Sequence, residues 1–297
     1  MADSQPSYRV LAPDQRCQVW VSDLAGSTRL VYETGDVLFE APNWGPDGQL
    51  VLNAQGLLWE LPATGGEPQQ IATDGLPPVN NDHVLSPDGQ TIYASANDWH
   101  IYAVPRTGGK AAQVSLDDGR LHFLHGISPD GDVLSYVAIH PEGRSWREHA
   151  NVRLLATDSS WDIPLTDSSR PDDGPEFSLD GEWVYFNTEL FTTADGHAQI
   201  ARVTLDGSDL QRLTHDDQVD WFPHLSPNGT HAVYIRFPAG TTGHPADKPV
   251  ELQIVELPEW DAPTATIQLF GGQGTINVTS WSPDGTEFAY VAYPITE

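Results

Sequence analysis

Short runs of alternating apolar and polar residues recur along the chain, among them Thr91-Ile92-Tyr93-Ala94 and Trp183-Val184-Tyr185-Phe186. A period of two, rich in aromatic and β-branched residues, predicts half-buried strands rather than helices. Each run follows the same kind of turn: Gly45-Pro46-Asp47-Gly48, Ser86-Pro87-Asp88-Gly89, Ser128-Pro129-Asp130-Gly131, Ser178-Leu179-Asp180-Gly181, Ser226-Pro227-Asn228-Gly229 and Ser282-Pro283-Asp284-Gly285. The closing glycines stand 41, 42, 50, 48 and 56 residues apart. Pro presets φ, Asp bonds its own backbone and Gly supplies positive φ, so each motif is a tight turn between two strands. A third strand follows, as in Leu57-Leu58-Trp59-Glu60-Leu61, then a turn such as Thr64-Gly65-Gly66 and a fourth strand. Four strands per repeat make one blade, and six repeats predict an all-β, six-bladed β-propeller.

The ends of the chain predict how the ring closes. The last repeat stops after two strands, residues 277–281 and Glu287–Ala292, while two unassigned strands, 18–22 and 29–32, stand at the other end. A two-stranded ribbon is marginal alone and leaves open edges. Blade six is therefore expected to take strands C and D from the N-terminus and A and B from the C-terminus, within one domain spanning 1–297.

In such a blade the A–B and C–D turns lie on one face, and the B–C loops and D–A crossovers on the other. The repetitive Pro-Asp-Gly and Gly-Gly turns thus share a face, and the irregular sequence gathers opposite them. The crossovers read Asn80-Asn81-Asp82-His83, His122-Phe123-Leu124-His125-Gly126, Asp172-Asp173-Gly174-Pro175-Glu176, Asp220-Trp221-Phe222-Pro223-His224 and Gly271-Gly272-Gln273-Gly274-Thr275-Ile276-Asn277. His83, His125, Glu176 and His224 are read as sharing one offset from the Pro (or Leu179) of their own turn, which predicts them at one level around the channel mouth. Three imidazoles and a carboxylate suit a divalent metal, Mn²⁺ or Zn²⁺. Without a metal, the same side chains with Asn81, Asp82, Asp173, Trp221, Gln273 and Asn277 would line an organic-ligand pocket. His83 or His125, if neutral, would be the candidate base for catalysis. On the same face, Arg144, Arg147, Arg120, Arg170 and Arg236 offer partners for a carboxylate or phosphate, or else pair with neighbouring aspartates. Trp146 and Trp221 offer stacking surfaces for a sugar, and Gly243-His244-Pro245 lies in another insertion.

Charge narrows the partners. Forty-two acids against fourteen bases, with Lys110 and Lys248 the two lysines, give a net charge of -28. Such a surface repels nucleic acid and anionic membranes. Molar salt, with a screening length of about 3 Å, relieves the self-repulsion, and scarce lysine with abundant acid resembles the proteins of salt-in halophiles. One cysteine, Cys17, excludes an internal disulfide. No apolar run approaches the roughly 18 residues of a membrane span. The N-terminus shows neither a basic nor an apolar signal region, so a cytoplasmic location is expected.

The Ser-Pro-Asp-Gly blades with aromatic-Tyr strands resemble the PD40 repeats of TolB-like propellers over residues 15 to 295. The stretches N-D-H, H-G, D-G-P-E, W-F-P-H and G-G-Q-G-T-I-N are similar to those of the short, stand-alone members, which lack the α/β domain and export signal of TolB itself. The propeller of prolyl oligopeptidases is similar too, without the G-x-S-x-G element of a hydrolase here. The resemblance implies a binding module that takes a small polar ligand, carbohydrate or carboxylate-bearing, or a peptide. The alternative is a metal-assisted lyase or hydrolase on an acidic oligosaccharide, as in oligogalacturonate lyase, a seven-bladed family with histidine ligands to its metal.

Overall fold

The computed structural model describes residues 8–141 and 150–296. Arg144, Trp146 and Arg147 lie outside the described residues. Six small antiparallel sheets surround one axis. Blade one comprises Glu40–Trp44, Gln49–Ala54, Leu57–Pro62 and Gln69–Gln70, and blade two Val79–Leu85, Thr91–Ala96, Ile101–Pro105 and Ala112–Gln113. Blade three runs from Leu121–Ile127 through Val133–Ile139 and Asn151–Ala156 to Asp162–Pro164. Blade four is Asp172–Phe177, Trp183–Thr188, Gln199–Thr204 and Leu210–Arg212; blade five is Val219–Leu225, His231–Phe237, Ala246–Glu256 and Pro263–Gly272.

The serine-aspartate turns explain the regularity. Ser86 donates to Asp88 at 2.6 Å while its hydroxyl accepts from the Thr91 amide at 2.9 Å, and Gly89 sits at φ +68°. Ser128, Ser178, Ser226 and Ser282 repeat the arrangement in the other blades. The donated hydroxyl holds the carboxyls of Asp88, Asp130, Asp180 and Asp284 below the usual range. In blade one Gly45 replaces the serine, and Asp47 is bound instead by Arg106 from blade two, at 2.8 and 3.0 Å.

Apolar side chains fill the spaces between blades. Val51 and Leu58 meet Leu85 and Ile92 between blades one and two, and Leu154 meets Phe177 and Val184 between blades three and four. Tyr185 and Ile200 meet Tyr234 and Trp260 at the next interface. Each blade therefore buries its faces only against its neighbours, and the ring is stable only when closed.

Closure follows the expected route, with one difference. Cys17–Asp23 pairs antiparallel with Glu287–Ala292 on one side and Thr28–Thr34 on the other. Val19 and Val21 pack with Leu50 and Leu52 of blade one. The innermost position, residues 277–281, is not a laddered strand; it holds a single bridge, Trp281 to Phe288. Side chains compete for the backbone there: Thr275 accepts from the Gly272 amide at 3.0 Å and Asn277 from the Gly274 amide at 2.7 Å. Gly274, at φ +87°, lies so close to Glu40 and Tyr293 that a Cβ would stand 2.6 Å from each.

Candidate functional site

The irregular face carries a cleft of about 340 Å³ beside the channel mouth, lined from blades two to five and by Gln273. It begins with β-bulges. Every inner strand of blades one to five slips register just before its A–B turn, between Val79 and His83, Leu124 and Gly126, Asp173 and Glu176, Trp221 and His224, and Glu40 and Asn43. A bulge re-aims the side chains next to it. In blade three the bulged residue is His125, and in blade five the bulge puts Phe222 at φ +53°. Phe222 then stacks on His125 at 5.6 Å and meets His244 edge-on at 5.0 Å.

His125 is the electrostatic centre. Its Nδ1 donates to the Asn277 carbonyl at 3.2 Å and its Nε2 faces Asp173 Oδ1 at 3.1 Å. Both nitrogens thus meet acceptors, which requires the imidazolium form. Burial opposes that charge, but Asp82 and Asp173 outweigh burial and hold the pKa at about 9. Burial likewise pushes the Asp173 carboxyl up, yet its bond to His125 leaves it below the ordinary value. Asp82 is buried at the cleft wall, and its Oδ2 accepts from Asn80 at 2.9 Å. Desolvation raises it to about 6 despite the neighbouring imidazolium.

His244 completes the polar wall. The outer strands of blade five, Ala246–Glu256 and Pro263–Gly272, are its longest. The loop leading into that extension sets His244 against Trp221 at 4.5 Å. Its Nδ1 bonds Gln273 Oε1, and its Nε2 lies 3.8 Å from Asp173 Oδ2. Burial lowers its pKa, leaving a neutral ring with Nε2 as an acceptor. Opposite stands an apolar wall of Trp99, Phe123, Val137 and Ile139. Trp99 is 45% exposed and sits at φ +73° in a tight turn, an uncommon conformation for a bulky residue. A smaller hollow adjoins the cleft through Asn80, Asn81 and Gln273. There Arg9 binds Glu40 at 3.1 Å, the Gln273 carbonyl at 2.6 Å and Asp247 at 3.0 Å.

The structure brings Asn81, Asp82, His125, Asp173 and Gln273 together at this cleft. Asn277 lies behind it, buried, with its carbonyl on His125. The proposed metal quartet does not converge. His224 spends Nδ1 on Glu176 at 2.6 Å and Nε2 on the Ile276 carbonyl at 2.5 Å, and Glu176 Oε1 accepts from the Leu225 amide at 2.7 Å. His83 is fully buried away from the cleft, with both nitrogens unpartnered and burial lowering its pKa to about 3. The offset is not common to the four: Glu176 and His224 stand three residues before the Pro (or Leu179) of their turn, His83 and His125 four, and one residue reverses the direction of a strand side chain. His83 shares the offset of His125 but stays in the ladder opposite Ala94, whereas His125 is the bulged residue. Trp221 is not an exposed stacking surface but 1% exposed, in the core between blades five and six. The arginines are paired: Arg120 with Asp118 at 2.5 Å, Arg170 with Asp195 at 2.6 Å, and Arg236 with Asp216 and with Asp220 at 2.8 Å.

Among the described residues the group whose ligand atoms do approach one another is Asp118, His122 and Asp162. Arg120 already sits between its carboxylates, and Arg153 and Tyr136 bind Asp162 at 2.7 and 2.6 Å.

An uncharacterized protein of Agrobacterium fabrum is 39% identical over 272 residues, covering 89% of this chain and 88% of its own. A solved structure provisionally named TolB from Agrobacterium tumefaciens matches with a TM-score of 0.85 at 37% identity, over 95% of this chain and 99% of that one. The chain belongs to the TolB-like β-propeller family. More distant solved structures share the propeller fold alone with this TolB-like protein. TolB of Acinetobacter baumannii is 16% identical with a TM-score of 0.56, over 86% of this chain and 67% of that one. An oligogalacturonate lyase in complex with manganese is 14% identical with a TM-score of 0.58, over 90% and 75%. No family model matches the chain.

Proposed function

We propose that this TolB-like propeller is a binding protein that takes a small polar ligand, or the end of a peptide, in the cleft between Asp82 and Trp99. The observation that carries the reading is the pairing of buried, charged groups with an exposed aromatic wall in one concave site. His125 and Asp82 are buried and the Asp173 side chain is 14% exposed, yet they line about 340 Å³ of open volume. Clefts of a few hundred Å³ with an apolar wall and a few fixed polar groups are the usual form of a small-molecule site, and perturbed carboxyl and imidazole groups concentrate there. Sequestering charge in this way costs stability, so a binding role accounts for an arrangement that packing alone does not.

The lyase reading gains less support. His125 as an imidazolium has no lone pair for a proton or a metal, His224 and Glu176 are engaged with each other and with backbone, and His83 is buried away from the cleft.

A thermal-shift screen of amines, amino acids, sugars and short peptides tests the proposal, run on the wild type, Asp82→Asn and Trp99→Ala. Compounds that stabilise the wild type should lose at least half of their shift in both variants. Hits that stabilise all three proteins equally would place binding elsewhere.

A further inference from the structure

Resting on that reading of the cleft, we infer that its ligand carries an organic cation, a primary ammonium attached to an apolar or aromatic arm. Besides the neutral amides of Asn80, Asn81, Asn97 and Gln273, the titratable groups around the opening present acceptors. Asp82 presents a carboxylate, Asp173 a second oxygen beyond its bond to His125, and His244 a bare Nε2. The imidazolium of His125 is spent on Asp173 and the Asn277 carbonyl and has no free N–H to offer. No lysine or arginine stands among the described residues lining the cleft. The nearest cation in the adjoining hollow, Arg9, is matched by both Glu40 and Asp247.

With Asp82 and Asp173 ionised and His125 protonated, the cleft holds one net negative charge at neutral pH. A carboxylate or phosphate entering it would meet Asp82 with only the neutral amides of residues such as Asn81 and Gln273 as donors and no cation to balance it. A neutral sugar would leave that charge unpaired. An ammonium brings three N–H donors to three waiting acceptors, and its hydrocarbon arm covers Trp99 and Phe123, whose rings lie 5.9 Å apart. Aromatic faces also attract a cation directly.

The test uses three probes of one shape: 3-phenylpropylammonium, 3-phenylpropionate and 3-phenylpropan-1-ol, titrated calorimetrically into the full chain at 0.5 M KCl. The salt suppresses non-specific attraction to the acidic surface. The ammonium should bind at least tenfold more tightly than either other probe, and Asp82→Asn should remove at least tenfold of that affinity. Replacing an exposed turn aspartate, Asp206→Asn, should change nothing. Tighter binding of the carboxylate or alcohol overturns the cation inference while leaving the cleft as a binding site. If none of the three binds, the cleft reading falls and the inference with it. Equal losses in the Asp82 and Asp206 variants would reduce the effect to surface charge and also overturn it.

Discussion

Asn43 and Glu176 occupy the same place in blades one and four, and each accepts a backbone amide from the next blade: Leu85 at 2.8 Å and Leu225 at 2.7 Å. Blade three has Gly126 there, where a Cβ would come within 2.7 Å of Pro175 O and 3.2 Å of Glu176 Cα. These positions are interblade fastenings. His224 belongs to the same set, holding Glu176 from the next blade. His224→Ala should therefore cost about 3 kcal/mol in urea unfolding, because it strands a buried carboxylate, and should leave cleft binding unchanged. Loss of binding with full stability would return His224 to the site. His125 has the opposite profile. Its pKa is raised from 6.5 to about 9 by Asp82 and Asp173 against burial, so its stabilising contribution is complete below about pH 6.5. It is lost as pH rises through 9. The other titrating groups facing it are Asp82, which charges near pH 6, Asp173, ionised throughout this range, and His244, already neutral. The wild type should lose melting temperature between pH 7 and 9.5, and His125→Gln should flatten that slope. Parallel slopes would mean that His125 is not held as an imidazolium.

Strands and turns were the legible elements, because their signals are local. A serine two residues before an aspartate and a glycine after it specify the turn whatever surrounds them, and the hydroxyl bonds observed at Ser86, Ser128, Ser178, Ser226 and Ser282 bear that out. The ring closure was legible for the same reason: two orphan strands at each end leave edges that only each other can fill. The inner strand of blade six was misread. Its Gly272-to-Asn277 stretch binds its own amides through Thr275 and Asn277, and alternation alone does not register that competition. The candidate site was half legible. Loop position on the crossovers found Asp82, His125, Asp173 and Gln273. It could not show the bulges, and a one-residue slip separates a cleft-facing histidine from an interblade fastening. Trp99 and Arg9 escaped because their roles come from a left-handed turn and from the path of the N-terminal segment. His244 gave a weak signal, an insertion on the right face, without a repeat position to mark it.

At the scale of the whole molecule the propeller separates two tasks. Apolar contacts between neighbouring blades and the end-to-end pairing supply stability, while the crossovers into blades two, three and four, the blade-five loop that carries His244, and Gln273 converge on one charged opening. The chain carries a net charge of -28, but the cleft differs from the rest of the surface in having its charges largely withdrawn from solvent and set against an aromatic wall. A surface of that charge draws cations everywhere, so affinity alone does not locate the site. The most direct measurement is therefore the crystal structure of the protein with the strongest stabiliser from the screen. The account predicts density within hydrogen-bonding reach of Asp82 and in contact with Trp99 or Phe123, with His125 still bound to Asp173. Density at another surface, such as the hollow beside Arg236 and Glu251 on the outer edge of blade five, with the cleft holding only water, would contradict it.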